Sequence, residues 1–172
     1  EAQVDRFMMK VLIDYPSEEE EFVIAERALA PPVQVAAVAT TEQLAQLQAA
    51  VRTVYVDPSL LQYAVRLVAA TRNPANYGLK DLTDAFACGA SPRATIALAE
   101  GAQALALMRS RNYVLFDDLK DLAHDVLRHR ITLSYEALAD GKNVDTLISQ
   151  ILIRLPAPAQ SADITAREAR RA

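Results

Sequence analysis

Apolar positions recur along most of this chain at intervals of three and four residues, the spacing that lines one face of a helix. Leu44, Leu47, Val51 and Val54 make one such set, Leu61, Val65 and Val68 a second, and Leu119, Leu122, Ala123 and Val126 a third. Polar residues mark where the helices begin. Ser17 with Glu20, and Thr40 with Gln43, have the spacing of capping boxes. Asp57-Pro58 and Ser91-Pro92 each pair an N-cap with a proline at the first helical position, where no N–H is needed. Asp117, Ser134 and Asn143 predict three further starts, the last helix running to about Leu155. Elsewhere the period fails. Phe7 to Ile13 is a short apolar run that predicts a buried strand, closed by Tyr15-Pro16. Ala30-Pro31-Pro32-Val33 breaks the first helix and reads as a linker. Asn73 to Gly78 is rich in turn residues, and Leu79 to Ala87 fits either a helical turn or a mobile loop. Tyr113–Leu115 and Arg128–Leu133 predict short strands, so the expected class is mainly α with a small two-stranded element.

The most apolar helix runs from Ala94 to Met108, interrupted only by Thr95, Glu100 and Gln103. Small and apolar residues on most of its sides predict a central helix. Gly101 within it predicts close approach of another backbone. At 172 residues and 52% hydrophobic composition the chain holds one domain, or one domain with a piece of another. A net charge of -4 and a pI near 5.2 argue against a general nucleic-acid binder. The lone Cys88 allows no internal disulfide, fits a cytoplasmic location, and reads as a small apolar filler. No apolar run is long enough to span a bilayer, and no leader pattern marks export. The first residue is Glu1 and not Met, so a fragment of a longer protein is expected.

Several chemistries lack their residues. The four glycines form no phosphate loop, and no apolar run ends in the Asp-Glu pair that would hold magnesium. His124 and His129 have no cysteine partners and read as ordinary surface or interface histidines, so no metal ligands are predicted. The run Glu18–Glu21 suits the start of a helix and needs no ligand to explain it. Arg93 is the residue out of place. A cation in the first turn of a helix opposes the macrodipole at a cost of roughly 0.3–1 kcal/mol. An anion held among the free N–H groups would offset that cost. The competing reading is a solvated arginine whose stem covers apolar surface.

Gly89-Ala90-Ser91-Pro92-Arg93-Ala94, the Ala/Leu-rich helix after it, and Arg111–Asp118 together resemble the lid domain of MoxR-type AAA+ ATPases. Glu1-Ala2-Gln3-Val4-Asp5-Arg6-Phe7 resembles the end of that family's ATPase core, and the likeness runs in unbroken order to about Pro156. The resemblance implies a core remnant over 1–32, a helical lid over 33–156 and a disordered tail over 157–172. Arg93 would be the second sensor, touching the γ-phosphate of ATP bound to its own subunit. Arg6 would be the arginine finger, offered to the nucleotide of the neighbouring subunit. Tyr15 and Pro16, between core and lid, would wall the adenine. ATP with magnesium is the implied cofactor of the full-length protein, with no tight binding by this chain and no hydrolysis by it alone. A ring of subunits (a hexamer), a chaperone-like role in assembly or maturation, and a partner with a von Willebrand factor A domain are also implied. Two alternatives stay open: a magnesium-chelatase-type subunit, which shares the arginine pattern, and a non-enzymatic helical interaction module.

Overall fold

The computed structural model describes residues 3–158, and the tail expected over 157–172 lies almost wholly outside them. Among the described residues, seven α-helices and two short strands follow in the order α1 (Glu18–Leu29), α2 (Thr41–Val51), α3 (Pro58–Arg72), β1 (Phe86–Cys88), α4 (Pro92–Met108), α5 (Phe116–Leu127), β2 (Thr132–Leu133), α6 (Tyr135–Ala139) and α7 (Val144–Arg154). Tight 3-10 turns cover Val4–Arg6, Pro74–Tyr77 and Lys80–Ala85. The class is mainly α with a small sheet.

Local sequence sets most of the helix starts. Ser17 and Thr40 each close a full capping box, with Glu20 and Gln43 returning the bond. Asp57 accepts from the Ser59 N–H and precedes Pro58, and Ser91 accepts from the Arg93 N–H and precedes Pro92. One predicted start is displaced. α5 begins at Phe116, before Asp117, because the Asp118 carboxylate reaches back to the Leu115 N–H at 2.8 Å. A carboxylate three residues into the helix thus does the work expected of the cap.

The core lies where α3, α4, α5 and α7 meet. Leu67, Val68, Leu98, Ala102, Val126, Leu127, Ile148 and Ile151 are fully buried there. α4 is central as predicted, packing against α2, α3 and α5. Gly101 departs from expectation: its nearest neighbours are the side chains of Leu122 and Met8, not another backbone. α1 buries no residue, and Phe22 on it is 68% exposed. The helical face predicted on α2 is likewise open at Leu44 and Leu47.

The strands differ from prediction. Phe7–Ile13 forms no strand, and Ile13 is 90% exposed. A strand requires a neighbouring backbone, and among the described residues none runs alongside this segment. Its order comes from single bonds, such as the Lys10 N–H to the Asp125 carbonyl at 2.7 Å. The small sheet pairs β1 with β2 in antiparallel fashion, so only the end of Arg128–Leu133 is strand. Tyr113 makes an isolated parallel bridge to Tyr55, and Leu79–Ala87 contains a 3-10 turn leading into β1. Cys88, expected inside, is exposed at the strand's end. Among the described residues no helix is long and apolar enough to cross a membrane.

Candidate functional site

The Gly89–Arg93 turn is positioned by the end of α3. The Ala90 N–H donates to the Thr71 hydroxyl at 2.9 Å, and Arg72 donates to the Ala90 carbonyl at 3.0 Å. Gly89 is required by that contact and not by an unusual backbone angle. A Cβ on it would lie 2.5 Å from the Thr71 carbonyl oxygen, closer than real Cβ atoms come. Ser91 then caps α4, and the Arg93 side chain emerges 55% exposed from the helix's first turn.

Asp5 meets this turn from the other end of the chain. Its carboxylate accepts from the Ser91 hydroxyl at 2.9 and 3.0 Å and from Arg130 Nε at 3.1 Å. Arg93 Nη1 approaches the same carboxylate at 3.6 Å. Arg130 is itself buried and donates to the main-chain carbonyls of Asp5, Phe7, Met8 and Val126. Burial lowers the pKa of its guanidinium from the usual value, while the Asp5 carboxylate acts to raise it. His129 contacts the Phe7 carbonyl through Nε2 at 3.1 Å, and Arg128 donates to the Lys10 carbonyl at 2.8 Å. Burial lowers the His129 pKa from its usual value while the bond to the Phe7 carbonyl, in which Nε2 donates, acts to raise it. Three successive side chains therefore clamp the segment carrying Arg6 onto the helical domain.

Arg6 and Arg93 line one groove of about 370 Å³, together with Asp5, Met8, Ile96, Glu100 and Arg130. The structure does not bring Tyr15 and Pro16 to it. They line a different, open groove beside α1, and Tyr15 is almost fully exposed. The donor set at Arg6 and Arg93 fits phosphate: two guanidinium groups on the flank of α4's first turns with a third behind them, facing the carboxylates of Asp5 and Glu100. It does not fit a magnesium site, since no group of His, Cys, Asp or Glu among the described residues is close enough to hold a metal.

Sequence reasoning missed the clamp. Arg128-His129-Arg130 read as part of a strand, and nothing local shows that its partners lie about 120 residues upstream. The Arg111–Asp118 segment proved structural. Asp118, fully buried, accepts from Arg111 at 2.6 and 2.8 Å, from Arg109 at 2.9 Å and from Leu115. Burial alone would raise its pKa, but these bonds outweigh burial and hold the carboxyl below its usual range.

Comparison with known proteins agrees with this architecture. The AAA lid domain family matches residues 80–151. Chaperone MoxR1 of Mycobacterium tuberculosis is 40% identical over 162 residues, which are 94% of this chain and 43% of the relative. Protein MoxR of Paracoccus denitrificans is 32% identical over 174 residues, covering 92% of this chain and 50% of that one. A crystal structure from Cytophaga hutchinsonii, described as a candidate ATPase, superposes with a TM-score of 0.87 at 38% identity. That match covers 92% of this chain and 48% of the other. The chain thus spans about half the length of the relatives it matches. With its helical lid and these relatives, the chain belongs to the MoxR family of AAA+ ATPases.

Proposed function

We propose that this chain is the nucleotide-reading lid of a ring-forming ATPase, and that Arg6 and Arg93 act together on the terminal phosphate of one ATP. The observation that carries the reading is their shared groove along the first turns of α4. Phosphoryl transfer needs little covalent help from the protein and mostly needs positive charge placed around the transferring group. Bound ATP with magnesium would supply that group. From this chain, Arg93 supplies a planar donor pair at the helix N-terminus, and Arg6 supplies a second from the clamped turn. The phosphate loop and magnesium-holding acids belong to the rest of such an ATPase. The resemblance assigns the two arginines to different nucleotides; a common groove favours a common one. Tyr15 and Pro16 remain the proposed adenine wall, with their exposure leaving them open to a ligand held against another domain. A chaperone-like role, a hexameric ring, a cytoplasmic location and a partner with a von Willebrand factor A domain belong to the same proposal, the first supported by the name of MoxR1.

The test is nucleotide affinity in the ring-forming ATPase that carries this lid. Arg93→Ala should weaken ATP more than ADP, because the lost contact is to the terminal phosphate. A charge-assisted bond contributes about 1.5–3 kcal/mol, or roughly ten- to a hundredfold in affinity. Equal weakening of both nucleotides would indicate general damage to the lid and would count against the reading.

A further inference from the structure

Asp5 occupies the position in which an anion would be expected, with its carboxylate set between the Ser91 hydroxyl, Arg130 Nε and Arg93 Nη1. We propose that Asp5 is an internal competitor for the anion read by Arg93, making the groove answer to multiply charged phosphate over singly charged anions. The inference rests on the phosphate reading above.

Its three contacts are unequal. Arg130 is 2% exposed in its side chain, lies 3.1 Å from the carboxylate and is further fixed by four main-chain carbonyls. Ser91 is fixed as the cap of α4 and bonds both carboxylate oxygens. Arg93 makes the longest contact, 3.6 Å, from a half-exposed side chain. It is the one partner that can leave without disturbing the others. Because Arg130 also holds the Asp5 carbonyl, the turn bearing Arg6 stays pinned when Arg93 swings away.

Charge decides which anion can draw it away. Arg6, Arg93 and Arg130 face Asp5 and Glu100 around the groove. A singly charged anion offers Arg93 no more than Asp5 already does. A terminal phosphate carries more charge and three acceptor oxygens, so it can win the guanidinium from the carboxylate. Asp5 would thereby set the threshold of the site, and would take Arg93 back when the phosphate leaves.

The full chain can be titrated with inorganic tripolyphosphate at low ionic strength, following the arginine Nε–H resonances by NMR. In the unaltered chain the Arg93 resonance should move and the Arg130 resonance should stay. Asp5→Asn keeps an acceptor oxygen for Ser91 and Arg130 but removes the charge. It should bind tripolyphosphate roughly three- to tenfold more tightly, the scale of one partly exposed ion pair, and should gain measurable affinity for acetate. Asp5→Glu should return both toward the original values. Unchanged or weaker binding by Asp5→Asn, with its circular dichroism intact, would overturn the proposal. Movement of Arg130 together with Arg93 in the unaltered chain would overturn it too, and needs no variant to fold. If neither resonance moves, or Arg93→Ala binds tripolyphosphate as well as the unaltered chain, the phosphate reading itself fails and the competitor with it.

Discussion

Arg130 and Asp5, 125 positions apart in the sequence, meet at 3.1 Å, and the same guanidinium also reaches the carbonyls of Phe7 and Met8. Through this pair the turn that carries Arg6 is fixed against the helix that carries Arg93. Neither arginine is held by a regular element shared with the other. Their common placement therefore depends on Asp5, which accepts from Ser91 at the head of α4, and on the buried Arg130 that holds Asp5.

Arg130→Met should keep the apolar stem and strand four main-chain carbonyls and one carboxylate. Breaking a buried, hydrogen-bonded charge pair from one side costs about 3–5 kcal/mol, which chemical denaturation should register. Hydrogen exchange should quicken first at the Lys10 amide, whose bond to Asp125 belongs to the same clamp. An unchanged midpoint and unchanged exchange would mean that the clamp contributes little.

Gly89→Ala should destabilise the chain without altering a charge. Its Cβ would meet the Thr71 carbonyl at 2.5 Å and the Arg72 side chain at 2.8 Å, and the backbone of α3 cannot give way as a flexible side chain could. Overpacking of this kind costs about 1–3 kcal/mol, readable as a lowered melting temperature. A neutral effect would show that the glycine's role lies elsewhere.

Asp118 predicts a pH dependence. Its folded-state pKa lies below the usual carboxyl value, held there by Arg111, Arg109 and the Leu115 N–H against the opposing effect of burial. The stabilisation is therefore complete above the unfolded carboxyl's pKa, near 4, and is lost as pH falls through the lower folded value. Asp118→Asn should be destabilised by about 3–5 kcal/mol near neutral pH, because Arg111 is left buried without its partner. The gap from the unaltered chain should narrow in acid. A gap that stays constant from pH 7 to pH 3 would contradict this account.

The helix starts were legible because a cap and its partner sit three residues apart and fix each other locally. Ser17 with Glu20, Thr40 with Gln43, and Ser91 before Pro92 all behave in the structure as their spacing predicts. What failed depends on distant chain. Phe7–Ile13 has the composition of a strand but no described neighbour to pair with, and the position of Cys88 is set by the small sheet's edge. Arg6 and Arg93 could be singled out by resemblance to a family motif, whereas their shared groove could not. Arg130 gave no signal, since its meaning lies wholly in contacts across the fold. The need for Gly89 is likewise set by distant chain, the approach of the Thr71 carbonyl.

The central claim is that Arg6 and Arg93 serve one phosphate, and mixed rings test it most directly. In the ring-forming ATPase, Arg6→Ala and Arg93→Ala would each be mixed with subunits that keep both arginines but lack the phosphate-loop lysine. Each variant alone should hydrolyse ATP far more slowly; arginines placed on transferring phosphates contribute about 10³–10⁵ in rate in the best-studied cases. With subunit exchange confirmed by native mass spectrometry, the two mixtures should respond alike. Both regain activity if the groove faces the neighbour's nucleotide, and neither does if it faces its own. Recovery by Arg6→Ala with none by Arg93→Ala, or the reverse, would place the two arginines on different nucleotides and contradict the account.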